Sequence, residues 1–135
     1  MSLERVNESV VVRALARTRC GAYLLVRRSA SEHSFAGQWE LPGGKVESGE
    51  QATAALRREL AEEVGVTCTS SPALVAKVDR GSGRSKRTLE LCYLVETDGE
   101  PALSAEHDGV CLYRPGSRLP GVMTDWSADL LRAAA

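Results

Sequence analysis

The 135-residue sequence lacks any apolar run approaching the length of a membrane-spanning helix, and its N-terminus carries no signal-peptide pattern. It also lacks an excess of either charge. A net charge of −1 and a pI near 6.1 leave no general attraction to nucleic acid polymers or anionic membranes. Cysteine is sparse and dispersed. Cys20, Cys68, Cys92 and Cys111 form no Cys-x-x-Cys, and His33 and His107 are equally scattered. That argues against a zinc site and leaves buried or half-buried free thiols in a reducing cytoplasm as the expectation. Asparagine occurs once, as Asn7, and phenylalanine once, as Phe35. No internal repeat or long linker divides the chain, so residues 1–135 are expected to form one domain with room for a hydrophobic core.

What the sequence does hold is concentrated over residues 43–66. The diglycine Gly43-Gly44 precedes a single acidic helix. Ser48 with Gln51 spells a capping box, which predicts a helix start near Gly49, and Gly65 followed by Val66 predicts a left-handed C-cap. At about 100° per residue, Thr53, Leu56, Leu60 and Val64 share the face expected to meet the core. Glu59, Glu62 and Glu63 fall together on the neighbouring face. Like charges at that spacing repel, by a few tenths of a kcal/mol per pair (~0.2–0.5), and Arg58 offsets only part of this. A hard divalent cation would offset the rest, and carboxylate oxygens suit magnesium or manganese. A glutamate-rich helix face is more often simply solvated, so the residues around this one must decide.

The rest of the chain reads as strands over residues 10–16, 22–28, 39–41, 73–78, 88–97 and 110–113, with a C-terminal helix over 123–134. Residues 79–87 form a glycine-rich, basic loop. A flexible hairpin tip is favoured there over a phosphate clamp. In the last helix, Met123, Trp126 and Leu130 share a face, which favours a core position for Trp126 over stacking on a ligand. Hairpin strands interspersed with helices imply an α/β chain: a mixed sheet with helices on both sides.

Gly44, Glu50, Arg58, Glu59, Leu60, Glu62, Glu63, Gly65 and Val66 match Gly-x5-Glu-x7-Arg-Glu-Leu-x-Glu-Glu-x-Gly-Val at every position, and in this the chain resembles the Nudix hydrolases. The resemblance implies a Nudix-type α/β/α sandwich. It implies that the backbone carbonyl of Gly43 and the carboxylates of Glu59, Glu62 and Glu63 hold Mg2+ (or Mn2+), with Glu50 as an outer or additional ligand. Arg58 then orients a neighbouring carboxylate, and the general base is Glu63 or Glu106.

Two further stretches, Arg27 to His33 and Trp39 to Lys45, resemble the MutT-type branch that cleaves nucleoside triphosphates. By that likeness Arg28 and His33 hold the nucleotide, and Lys45 is within reach of a phosphate. The reaction implied is water attack at the β-phosphorus, giving a nucleoside monophosphate and pyrophosphate, as in clearing damaged or surplus nucleotides. The oxidised-guanine readers of this branch carry an asparagine near the start of the last helix. Here Met123, Thr124 and Asp125 stand there, and Asp125 is the candidate contact to a base edge. Oxidised guanine and cytidine nucleotides are equal claimants. The alternatives are hydrolysis of ADP-ribose or another nucleoside diphosphate linked to a second group, and a non-catalytic sensor domain. Such domains usually lose glutamates that this chain retains. A homodimer accords with the family, and no residue here demonstrates one.

Overall fold

The computed structural model describes residues 7–81 and 86–134. In chain order the elements are β1 (Asn7–Arg17), β2 (Tyr23–Arg28), β3 (Trp39–Glu40), β4 (Gly43–Lys45), α1 (Ala52–Val64), β5 (Thr67–Cys68), β6 (Ala73–Arg80), β7 (Lys86–Asp98), β8 (His107–Tyr113) and α2 (Asp125–Ala134).

The apolar run in β1 is buried on both sides, which is why it shows little alternation. One edge of β1 pairs in parallel with β7 from Asn7↔Lys86 to Arg17↔Glu96. Its other edge is shared: β4 pairs antiparallel with Val11 to Arg13, and β2 meets Arg17 through Tyr23. β3 and β8 pair antiparallel with β2, and β5 and β6 pair antiparallel with β7. The mixed sheet expected from the sequence is present, but its central parallel pairing joins strands far apart in the chain.

Alternation then divides the core into two layers. Val12, Ala14, Ala16, Leu24, Val26, Tyr93 and Val95 pack with Ala55, Leu56, Leu60 and Val64 of α1. Leu15, Leu25, Leu41, Ala76 and Cys92 pack with Met123 and Leu130. Helices on both faces of the sheet make an α/β/α sandwich. Burial of Leu56 and Leu60, at about 2 kcal/mol each, outweighs the glutamate repulsion along α1.

Several expectations need correction. α1 begins at Ala52 with Gln51 as N-cap, and no side chain caps it. Residues 47–50 instead close a turn, with the Glu50 N–H donating to the Glu47 carbonyl at 3.0 Å, so Ser48 never reaches the helix. Gly65 does close α1 in the left-handed conformation (φ 67°), as predicted. Trp126 is not in the core. The inward stripe of α2 is Ser127 and Leu130, while the half-buried Trp126 ring meets Phe35 edge-on at 4.8 Å. β8 starts at His107 rather than Val110. Cys20 is exposed, and all four cysteines are free. The tip at 82–85 lies outside the described residues; beside it, the Arg87 Nε donates to Asp79 Oδ1 at 2.9 Å. No helix among the described residues is long and apolar enough to cross a membrane.

Candidate active site

A cleft of about 560 Å³ opens between the acidic face of α1, toward its C-terminal half, and the sheet. Glu59, Glu62 and Glu63 line one wall, and Gly43, Gly44 and Lys45 of β4 form its floor. Arg13, Arg28, Glu40 and residues 104–106 complete the lining.

The diglycine sets how closely β4 approaches β1 on one side and the Glu59 carboxylate of α1 on the other. A Cβ on Gly43, where φ is +154°, would stand 1.9 Å from the Val12 carbonyl oxygen, and one on Gly44 would stand 2.5 Å from the Glu59 carboxyl carbon. At Gly43 backbone fills the space, whereas at Gly44 it is the movable end of the Glu59 side chain. The Gly43 N–H donates to Glu63 Oε2 at 3.0 Å, which fixes the most buried of the three carboxylates. Glu63 is 6% exposed, and burial pushes its pKa up to about 7 against the pull of the Gly43 N–H, His107 and Arg13. Burial also raises Glu59, opposed by Arg58. Glu62 is 61% exposed at the rim.

Arg58 ties the outer side of this wall together. Its Nε and Nη2 donate to both oxygens of Glu50 at 2.9 and 3.0 Å, Nη1 to Glu59 at 2.9 Å and Glu62 at 3.3 Å, and Nη2 also to the Lys45 carbonyl at 3.1 Å. Glu50 reaches it because it lies in the turn before α1, not on the helix. The Arg58 hydrogen bond holds the Glu50 pKa down at about 2, and the same bond raises that of Arg58.

The inner side is built on Glu40, whose side chain is 2% exposed. His107 Nε2 lies 2.8 Å from Glu40 Oε2, Arg28 Nη1 lies 3.4 Å from the same oxygen, and Arg13 Nη1 lies 3.6 Å from Oε1. Burial works to raise the Glu40 pKa, and these three partners outweigh it, so the carboxylate is held ionised. Burial likewise opposes charge on His107, and the Glu40 bond with the nearby Glu63 outweighs it, so its pKa is raised.

The sequence profile of the NUDIX domain matches residues 7–133. The chain belongs to the Nudix family. It is 36% identical over 131 residues to the putative 8-oxo-dGTP diphosphatase 2 of Mycobacterium tuberculosis, covering 94% of this chain and 90% of that protein. A 45-residue stretch is 56% identical to the nucleoside triphosphatase NudI of Escherichia coli, covering 33% of this chain and 32% of that one. The crystal structure of a MutT Nudix hydrolase from Burkholderia pseudomallei matches with a TM-score of 0.80 at 27% identity, over 96% of this chain and 99% of that one. This protein is a MutT-like Nudix hydrolase, an enzyme of phosphoanhydride bonds.

Nudix hydrolases use a divalent metal, and the donors here fit one. They are hard carboxylate and carbonyl oxygens; burial holds Glu59 and Glu63 back from ionising, a penalty that an adjacent cation would lift. The fold brings Arg58, Glu59, Glu62, Glu63, Gly43, Lys45, Arg28 and Glu106 to or beside the cleft. His33 and Asp125 are exposed and do not line it. Arg13 and Glu40 line the cleft and His107 is bonded to Glu40 behind it, and none of the three was expected there. The available signals were slight: an arginine inside a β-branched strand, a glutamate between Trp39 and Leu41, and a histidine beside Glu106.

Proposed function

We propose that this Nudix hydrolase converts a nucleoside or deoxynucleoside triphosphate to the monophosphate and pyrophosphate, using Mg2+ or Mn2+. The observation that carries this reading is a single cleft lined by the three carboxylates of α1 together with Arg13, Arg28 and Lys45. A polyphosphate chain needs cations along it, and beside Glu59, Glu62 and Glu63 the Arg58 guanidinium is already bonded to Glu50, Glu59 and Glu62, which leaves that role to a metal. The Gly43 carbonyl with those three glutamates would hold the metal, which when bound neutralises phosphate oxygens and acidifies water. Arg58 holds Glu59 and Glu62 in place through the bonds described above. Arg28 and Lys45 meet the phosphates from the opposite side and the floor. Oxygens of Glu63 and Glu106 approach within 4.8 Å of each other, so a water between them can give its proton to either. The names of the relatives, an 8-oxo-dGTP diphosphatase and a nucleoside triphosphatase, support a triphosphate substrate. The free cysteines accord with work in a reducing cytoplasm.

The test is a metal-dependent hydrolysis screen of ordinary and oxidised (d)NTPs, 8-oxo-dGTP included, with ADP-ribose as a further arm. Glu62→Gln runs beside the wild type. Turnover of a triphosphate that is lost in Glu62→Gln, with ¹⁸O from labelled water entering pyrophosphate, is the expected result. Turnover of ADP-ribose alone would overturn the triphosphate reading. Comparing Glu63→Gln with Glu106→Gln, each at saturating metal, identifies the base as the variant that loses more of kcat.

A further inference from the structure

His107 sits where β8 begins, paired with Arg28 at a register break between Arg27 and Arg28. Such a bulge re-aims side chains, and here the imidazole is buried, with its side chain 2% exposed. Nε2 is committed to Glu40 Oε2 at 2.8 Å. Nδ1 is buried and has no hydrogen-bond partner among the described residues. A buried polar atom left in that state costs about 1–3 kcal/mol, so its position calls for an occupant.

The neighbours indicate which occupant. One imidazole nitrogen and one carboxylate oxygen from each of Glu63 and Glu106 lie within 4.8 Å of one another. Two ligands at about 2.1 Å from one ion lie at most about 4.2 Å apart, so sub-ångström side-chain shifts close the group on a cation. Glu40 supplies the remaining part of the arrangement. Flanked by Arg13 and Arg28, its carboxylate accepts the Nε2–H, which fixes the tautomer that leaves a lone pair on Nδ1. A carboxylate behind one ring nitrogen and a metal before the other is how ligating histidines are commonly oriented.

We infer that His107 Nδ1 is a direct ligand of the metal at Glu63 and Glu106, and that it tilts this centre toward manganese or another first-row divalent transition ion over magnesium. The inference rests on the carboxylate metal centre proposed above, with which it shares Glu63, and it adds Glu106 to the ligands. Imidazole nitrogen suits transition ions, whereas magnesium favours oxygen ligands and retained water.

The experiment is pulsed electron paramagnetic resonance of the full chain with Mn2+ bound, in natural-abundance and ¹⁵N-histidine forms. With two histidines in the sequence, His33→Ala and His107→Ala separate their contributions. The expected result is a direct ¹⁴N coupling that changes with the label, survives His33→Ala and disappears in His107→Ala. Mn2+ affinity should fall at least about tenfold in His107→Ala, while Mg2+ affinity, read by competition, changes less than about threefold. Bound Mn2+ without nitrogen coupling in the wild type would overturn the inference, and that spectrum needs no variant to fold. Weakening of that Mn2+ in Glu59→Gln would then show the carboxylate centre intact. An equal loss of both metals in His107→Ala would make the histidine structural and overturn the inference. No Mn2+ binding by the wild type would overturn both readings.

Discussion

Two groups of charged side chains flank the same cleft and are built differently. Around Arg58 the partners lie at most 13 residues away, the groups are partly solvated, and the guanidinium is bonded on several sides. Around Glu40 the partners range from Arg28, 12 residues away, to His107, 67 residues away, Glu40 and His107 are buried, and Arg13 Nε, Glu40 Oε1 and His107 Nδ1 lack hydrogen-bond partners among the described residues. The first group is a brace that water can partly replace. The second holds charge where water cannot reach, so its members depend on one another and on whatever enters the cleft. Glu63 joins the two, rising from the braced helix and ending among the buried groups.

The largest effect should come from the floor between them. Gly43→Ala places a Cβ against the Val12 carbonyl, and backbone cannot swing away as a side chain can. A loss of about 5 kcal/mol or more is expected, seen as failure to give soluble folded protein. Gly44→Ala meets only the end of the Glu59 side chain, and should fold while binding metal less well. Equal thermal midpoints for the two variants would remove the distinction.

Glu40→Ala should come next. It strands Arg13 and His107 without their shared carboxylate, at a cost of about 3–5 kcal/mol in chemical denaturation. A loss below about 1 kcal/mol, as for an exposed pair, would show that the inner group is no more demanding than the outer one.

The third effect is pH-dependent. Folding raises the Glu63 pKa from 4.5 to about 7, so it favours the protonated carboxyl. That contribution is whole below pH 4.5 and is lost as pH rises through about 7. In metal-free buffer, thermal stability of the wild type should therefore fall across this window relative to Glu63→Gln, by about 3 kcal/mol at most. Divalent metal should restore it. Parallel curves for the two proteins would contradict the assignment.

The smallest effect on stability belongs to the outer brace. Glu50→Gln should leave the unfolding midpoint nearly unchanged, because the pair is partly exposed and the amide oxygen of glutamine can still accept from Arg58. It should raise the metal concentration needed for half-maximal hydrolysis by about tenfold at most, because Glu59 loses part of its support. A large drop in the midpoint would erase the contrast between the two groups.

This contrast also explains what could be read before the structure. The face of α1 that carries Glu59, Glu62 and Glu63, and the cap at Gly65, follow from local helix geometry. The mixed sheet and the two flanking helices follow from alternation and periodicity. The helix start was misread because Ser48 and Gln51 have capping spacing, whereas the turn at 47–50 took the backbone hydrogen bond first. Trp126 was misplaced because one face of a short helix admits more than one stripe, and Ser127 took the inward position by accepting the Leu41 N–H at 2.9 Å. His107 carried no local sign of its place, since nothing near it in sequence points to Glu40.

The sequence by itself determined the acidic helix, the diglycine before it and, through their fixed spacing, the likeness to Nudix hydrolases. These depend on contacts within a few turns of chain, where residue type and spacing are sufficient. Only the tertiary structure decided that Arg13, Glu40 and His107 share one buried group, that Glu63 is the deepest carboxylate, and that His33 and Asp125 stand away from the cleft. Those outcomes depend on the parallel pairing of β1 with β7 and on the return of β8 beside β2, which bring distant residues out of water together. Burial is what shifts their proton affinities, and burial is a property of the assembled layers rather than of any one segment.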